Sequence, residues 1–249
     1  MKNFFFPEPV IFSINGGTIE GKSATIQNFK NAFFLGSEAV FTTLGITSDG
    51  KLIAGSESDM DGFDRGISAG MTLAELKQKS HASDLFPELN LILEEFPDGR
   101  FCFNLAGNNP RIAELFCDAV KKSDASDRIM VGFAGGKVIG RIRKTFPEMA
   151  TSFSPAGFLG FYMLFRSGLL YFFRNFKADA FITPESIGIS HIGNPGLIRQ
   201  AKERGIHVFI MNVNEKKHVK RLAEIGADGF FTENLYAVLE AIADIRKTK

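Results

Sequence analysis

Residues 36–57 read GSEAVFTTLGITSDGKLIAGSE. Gly36 suits the left-handed end of a preceding helix, and the run Ala39-Val40-Phe41-Thr42-Thr43-Leu44 is short, apolar and partly β-branched, as a buried strand requires. Ser48-Asp49-Gly50 then supplies the Asp-Gly turn that folds a second short strand back on the first. On the period-two repeat of a strand, Phe41 and Thr43 share one face at the C-terminal end. Carboxylates there would aim negative charge at a pocket and hold a metal. A phenyl ring and a hydroxyl will not.

Outward from this stretch, strand-like and helix-like patterns alternate to both ends, the pattern of a parallel sheet with helical crossovers. Strands are predicted at residues 10–15, 39–44, 100–105, 127–133, 150–153, 179–183, 206–213 and 228–232. Helices are predicted at 25–35, 110–122, 137–145, 195–204, 216–225 and 235–245, with short ones at 71–77, where Thr72 suits the cap, and 89–96. Pro110 fits an opening turn and Gly205 a helix end. Eight such units close most economically into a barrel, which removes exposed sheet edges.

The 249 residues are 45% hydrophobic, enough for one large core, and no linker divides them. Lys plus Arg number 29 against 28 for Asp plus Glu, so no strong field recruits nucleic acid or an anionic surface. Pro7 and Pro9 interrupt the Phe-rich start before a signal-peptide core accumulates, and no segment has the length of a spanning helix. Cys102 and Cys117 lack a Cys-x-x-Cys spacing and read as buried, reduced thiols. The expectation is a cytoplasmic protein.

Several short segments carry a family resemblance: Ile14-Asn15-Gly16, Ser23-Ala24-Thr25, Leu35-Gly36-Ser37-Glu38, Phe41-Thr42-Thr43-Leu44, Thr47-Ser48-Asp49-Gly50 and Ser56-Glu57, then Gln200 to Ile206, Val213-Asn214 and Gly226 to Thr232. In this order they resemble the glycerophosphodiester phosphodiesterase family, whose members carry His-Arg-Gly, Glu-Asn-Thr, Leu-Gly-Ala-Asp, Glu-x-Asp-Val, Thr-x-Asp-Gly and His-Asp in the first half. The resemblance implies a single TIM (β/α)8 barrel over residues 1–249, with a hairpin and loop insertion after strand 2 at about 45–88. It further implies hydrolysis of glycerol phosphodiesters in lipid metabolism, by two histidines, a divalent cation on three carboxylates and a cationic clamp on phosphate.

Each of those roles can be audited. The family's acid and base positions fall on Ile14 and Ser56, its metal-ligand positions on Phe41, Thr43 and Asn104, its phosphate-gripping Arg and Lys on Asn15 and Ala106, and its pocket Trp on Met211. None of these residues transfers a proton near neutrality or carries charge to a hard cation or a phosphate. Asn15-Gly16-Gly17 retains a turn suited to an anion, and Asp59-x-Asp61 is too small a fragment to be a calcium loop. No catalytic residue, metal or cofactor is therefore expected. The candidate ligand-binding residues at the barrel mouth are Asn15, Gly16, Glu57, Asn104, Glu185 and Met211.

Two functional readings follow. The first is a degenerate pseudo-enzyme that keeps the barrel to bind a small polar or phosphate-containing ligand, a protein partner or a second copy. The second is an active phosphoric diester hydrolase with a relocated site drawn from Glu57, Asp59, Glu185 or His191, using Ca or Mg. From Gly157 to Phe173 the chain reads GFLGFYMLFRSGLLYFF, too short and too interrupted to span a bilayer. The preferred reading is a buried helix after the fifth strand; the other is an exposed aromatic surface for lipid or a second subunit.

Overall fold

In a computed structural model, described for residues 3–17, 23–55, 70–80, 84–107, 109–187, 190–191 and 194–247, the predicted strands form a ring. In chain order they are β1 (Val10–Ile14), β2 (Ala39–Ile46) with its antiparallel hairpin partner β3 (Leu52–Gly55), β4 (Phe101–Leu105), β5 (Ile129–Gly132), β6 (Ala150–Thr151) and β7 (Ala180–Pro184). A separate two-residue pair, β8 (Ser186–Ile187) and β9 (Ser190–His191), precedes β10 (His207–Met211) and β11 (Gly229–Thr232). Parallel pairing runs β6-β5-β4-β2-β1-β11-β10-β7. The ends meet through one parallel bridge between Ser152 and Ala180, flanked by N–H donation from Phe153 to Ala180 O (2.8 Å) and from Asp179 to Thr151 O (2.9 Å). This is the TIM-barrel architecture.

The helices are α1 (Ile26–Leu35), α2 (Leu73–Ser80), α3 (Leu89–Glu95), α4 (Pro110–Lys122), α5 (Gly136–Thr145), α6 (Pro155–Arg166), α7 (Pro195–Lys202), α8 (Lys216–Glu224) and α9 (Leu235–Lys247). Local sequence sets their starts. At α4, α6 and α7 an Asn or Ser cap is followed at once by Pro, and Asn109, Ser154 and Asn194 each accept a backbone N–H of the first turn. Thr72 and Glu75 form a reciprocal capping box at α2, with Thr72 N–H donating to Glu75 Oε2 at 2.7 Å. Gly36, at φ 106°, closes α1 and turns the chain into β2.

Period-two alternation puts Val10, Phe12, Ala39, Phe41, Cys102, Met130, Ala150, Ala180, Ile182, Phe209 and Phe231 inside the ring. Phe12 stacks on Phe231 with centroids 4.2 Å apart, and Phe209 meets Phe12 edge-on at 5.1 Å. A 3-10 turn at Asn3–Phe5 plugs the N-terminal end: Phe4 and Phe5 are buried, and Phe5 stacks on His207 at 4.0 Å.

Three acidic residues, each immediately before a strand, bind backbone N–H groups of the neighbouring strand. Glu38 accepts from Ile11 (3.0 Å), Asp179 from Thr151 (2.9 Å) and Asp228 from Val208 (2.8 Å). They fix strand register at the N-terminal face, away from the mouth.

The stretch from Gly157 to Phe173 departs from the preferred expectation of burial. It divides into α6 and a second 3-10 turn, Leu169–Phe172, in which Phe161 and Leu170 are buried while Leu159, Met163, Leu169, Tyr171, Phe172 and Phe173 face solvent. Apolar composition fixed no inward face here, because apolar residues occur all round the helix. The fifth strand is also shorter than expected, ending at Thr151 where Ser152 joins β7 by the closing bridge.

Candidate functional site at the barrel mouth

The C-terminal strand ends form the mouth, where barrels of this kind hold their chemistry. Strand parity turns Ile14, Thr43, Asn104, Gly132, Ser152, Pro184 and Met211 toward its axis. None of these side chains is charged. Phe41, one layer below Thr43, is 7% exposed and lies edge-on between Phe133 (6.1 Å) and Phe231 (5.2 Å). Above it Asn104 Nδ2 donates to Thr43 Oγ1 at 3.2 Å. Half-buried Ile14 and Met211 pack against the same cluster.

This donor set does not fit a divalent cation. Phe41 contributes no ligand atom, Thr43 Oγ1 already accepts a hydrogen bond, and Asn104 brings only a neutral amide. The buried thiol of Cys102, below the mouth, has its pKa pushed well up by desolvation, which keeps it neutral and inert.

After β1 the chain turns through Asn15, Gly16 and Gly17 at φ 51°, 91° and 42°. A Cβ on Gly16 would lie 2.7 Å from Asn28 backbone atoms, so only glycine permits this approach to α1. Two of the three N–H groups of this turn are already engaged: Asn15 donates to Phe41 O (2.8 Å) and Gly17 to Ile14 O (2.9 Å). The turn therefore secures β1 to β2 more than it cradles an anion. Asn15 Oδ1 is buried with no hydrogen-bond partner among the described residues.

Glu185, just past β7, is drawn outward to Arg221 on α8, with His218 at 3.9 Å. Its carboxylate does not face the mouth as a free group. Ser56, Glu57, Asp59 and His81 lie outside the described residues, and for His191 the fold places the backbone in β9. His207 begins β10 at the opposite end of the barrel.

One cluster escaped sequence reading. Ligand atoms of Glu8, His207 and Asp228 lie within 4.8 Å of one another at the N-terminal face, the one such group of three among the described residues. Asp228 is already engaged by Lys202 Nζ (2.5 Å) and Val208 N–H (2.8 Å), and His207 Nδ1 is 3.3 Å from Glu8. Lys202 therefore already neutralises the one carboxylate of the group that is fully buried. Burial lowers the His207 pKa, outweighing the opposing pull of Asp228 and Glu8. The one hint in the sequence was Asp228 standing directly before an apolar strand.

Beside the mouth is a mainly apolar cavity of about 380 Å³, lined by Phe133, Phe153, Phe158, Tyr162, Ile182 and Pro184. It lies between the ends of β5 to β7 and the first turns of α6.

This architecture recurs in solved structures. A glycerophosphodiester phosphodiesterase of Parabacteroides distasonis superposes with TM-score 0.73 at 17% identity, covering 97% of this chain and 98% of that one. A phosphodiesterase of Oleispira antarctica, solved with the product sn-glycerol-3-phosphate, gives TM-score 0.73 at 14% identity over 95% and 97%. By sequence, a glycerophosphodiester phosphodiesterase of Caldanaerobacter subterraneus subsp. tengcongensis is 22% identical over 227 residues, 84% of this chain and 88% of that protein. Homology to glycerophosphodiester phosphodiesterases is supported. Lysophospholipase D GDPD1 of Rattus norvegicus is likewise 22% identical, over 89% of this chain and 82% of its own length. No protein-family model matches. Among the described residues no helix is long and apolar enough to cross a membrane.

Proposed function

We propose that this chain is a glycerophosphodiester phosphodiesterase-like barrel that has lost catalysis and uses its mouth to bind a ligand. The observation that carries this reading is Phe41, whose ring fills the layer where the family resemblance implies a metal-binding carboxylate. The Thr43–Asn104 hydrogen bond above it supports the same reading, since both groups are neutral. Proton transfer, cation binding and phosphate neutralisation are the large terms in such a reaction, and among the described residues Ile14, Phe41, Thr43, Asn104 and Met211 supply none of them. The neighbouring apolar cavity favours a ligand with an apolar body, with Asn104 offering a neutral hydrogen-bonding contact to a polar or phosphate-bearing head.

The test is a thermal melt of the full chain with millimolar calcium or magnesium, alongside a direct assay of glycerophosphodiester hydrolysis. The expected result is no metal-dependent rise in melting temperature and no turnover above that of a Glu57→Gln preparation. A saturable rise together with turnover abolished by Glu57→Gln would overturn the proposal and establish an active phosphoric diester hydrolase with a relocated site.

A further inference from the structure

The outer face of α6 and the 3-10 turn after it has no role in holding the barrel together. Leu159 and Met163, one helical turn apart, are 59% and 60% exposed, and Tyr171 and Phe172 are 72% and 75% exposed. With Leu169 and Phe173 they make six large apolar side chains in solvent within fifteen residues, a density beyond the scattered exposed residues of an ordinary surface.

The turn is not a loose tail. Leu170 is buried beneath it, and Phe176 packs edge-on against Phe161 at 5.0 Å. From the turn just after α7, the guanidinium of Arg204 donates to Leu170 O (2.9 Å), Phe173 O (2.8 Å) and Gln200 O (2.7 Å). The aromatic residues are therefore held outward by a rigid support, at little further entropic cost on docking.

Charge selects the occupant. From Met149 to Ala178 the sequence contains no Asp or Glu, whereas Arg166, Arg174 and Lys177 lie within it, all exposed. Within this segment the only charged side chains are cations, which matches the boundary of an anionic bilayer, with rings at headgroup depth and basic groups on lipid phosphates. A second copy of this chain fits less well, because two-fold pairing would set a cationic face against its own copy with no carboxylate from this segment to answer it.

We propose that α6 and the Leu169–Phe172 turn form a monotopic docking face for anionic lipid surfaces. The face is independent of whether the mouth retains catalysis. Docking places the apolar cavity beside the mouth near the lipid, because Leu159 borders both.

The test is co-sedimentation of the full chain with vesicles of phosphatidylcholine and phosphatidylglycerol in equal parts, against vesicles of phosphatidylcholine alone. Binding is expected to the anionic vesicles, to weaken with salt, and to fall roughly tenfold or more in a Tyr171→Ser/Phe172→Ser variant. An Arg166→Gln/Arg174→Gln variant should lose the preference for anionic lipid while keeping the same melting temperature. Because these side chains are exposed, an unchanged melt confirms that the variants are folded. Equal binding by wild type and variants, or no binding to anionic vesicles, overturns the proposal. So does a solution dimer that dissociates on Tyr171→Ser/Phe172→Ser, which would assign the face to a second copy.

Discussion

Phe41 stands where the family resemblance implies a carboxylate, and here it is a buried ring. Wedged between Phe133 and Phe231, its ring is a packing element, and Phe41→Ala is expected to cost about 3–5 kcal/mol, measured as a shift in the urea midpoint. Its place on an inward strand face was legible from alternation and from the frame of flanking residues. The partner rings were not, since Phe133 and Phe231 are far from it in sequence. His207 is a second such residue. Its pKa is lowered by burial below the ordinary value of 6.5, so the unfolded chain binds the extra proton first as pH falls. Stability should be full above about pH 6.5 and decline below it, by at most about 1.4 kcal/mol per pH unit from this group. Urea melts at pH 7.5 and 5.5 should show that decline, and His207→Gln should flatten it.

Among the elements, acid-before-strand is a repeated device. Glu38, Asp179 and Asp228 follow the short lead-ins Gly36-Ser37, Lys177-Ala178 and Gly226-Ala227, and each fastens its strand to a neighbour. Asp228→Ala orphans the Val208 N–H and should cost about 1–3 kcal/mol; the pairing with Lys202 adds little because that ammonium is 44% exposed. Stability to urea should drop accordingly, with the barrel still formed. Helix and strand existence was legible for nearly all of the ring, since caps, prolines and apolar periods are local signals. The outward face of α6 was not, because apolar residues occupy most of its circumference, and its exposure depends on what the rest of the fold leaves uncovered.

At the scale of the molecule, the barrel divides its polar groups unevenly. The N-terminal face holds the polar cluster of Glu8, Lys202, His207 and Asp228, while Ile14, Thr43, Asn104 and Met211 at the mouth are neutral. Chain order and the count of eight units made the closed ring legible, but not the neutrality of the mouth as a packed surface, which required the contacts of Thr43 with Asn104 and of Phe41 with its rings. Ring closure itself is uneven. The edges of β6 and β7 meet at a single bridge, where other neighbours share longer registers such as the five residue pairs from Val40 to Leu44 against β4. Within the ring, amide deuterium uptake should therefore be earliest at Phe153 and Asp179, whose N–H groups cross this seam, and latest in β1, β2 and β4. Since α6 is the crossover that straddles this seam, a surface gripping it would act as an external brace, and the same amides should exchange more slowly once anionic vesicles are added.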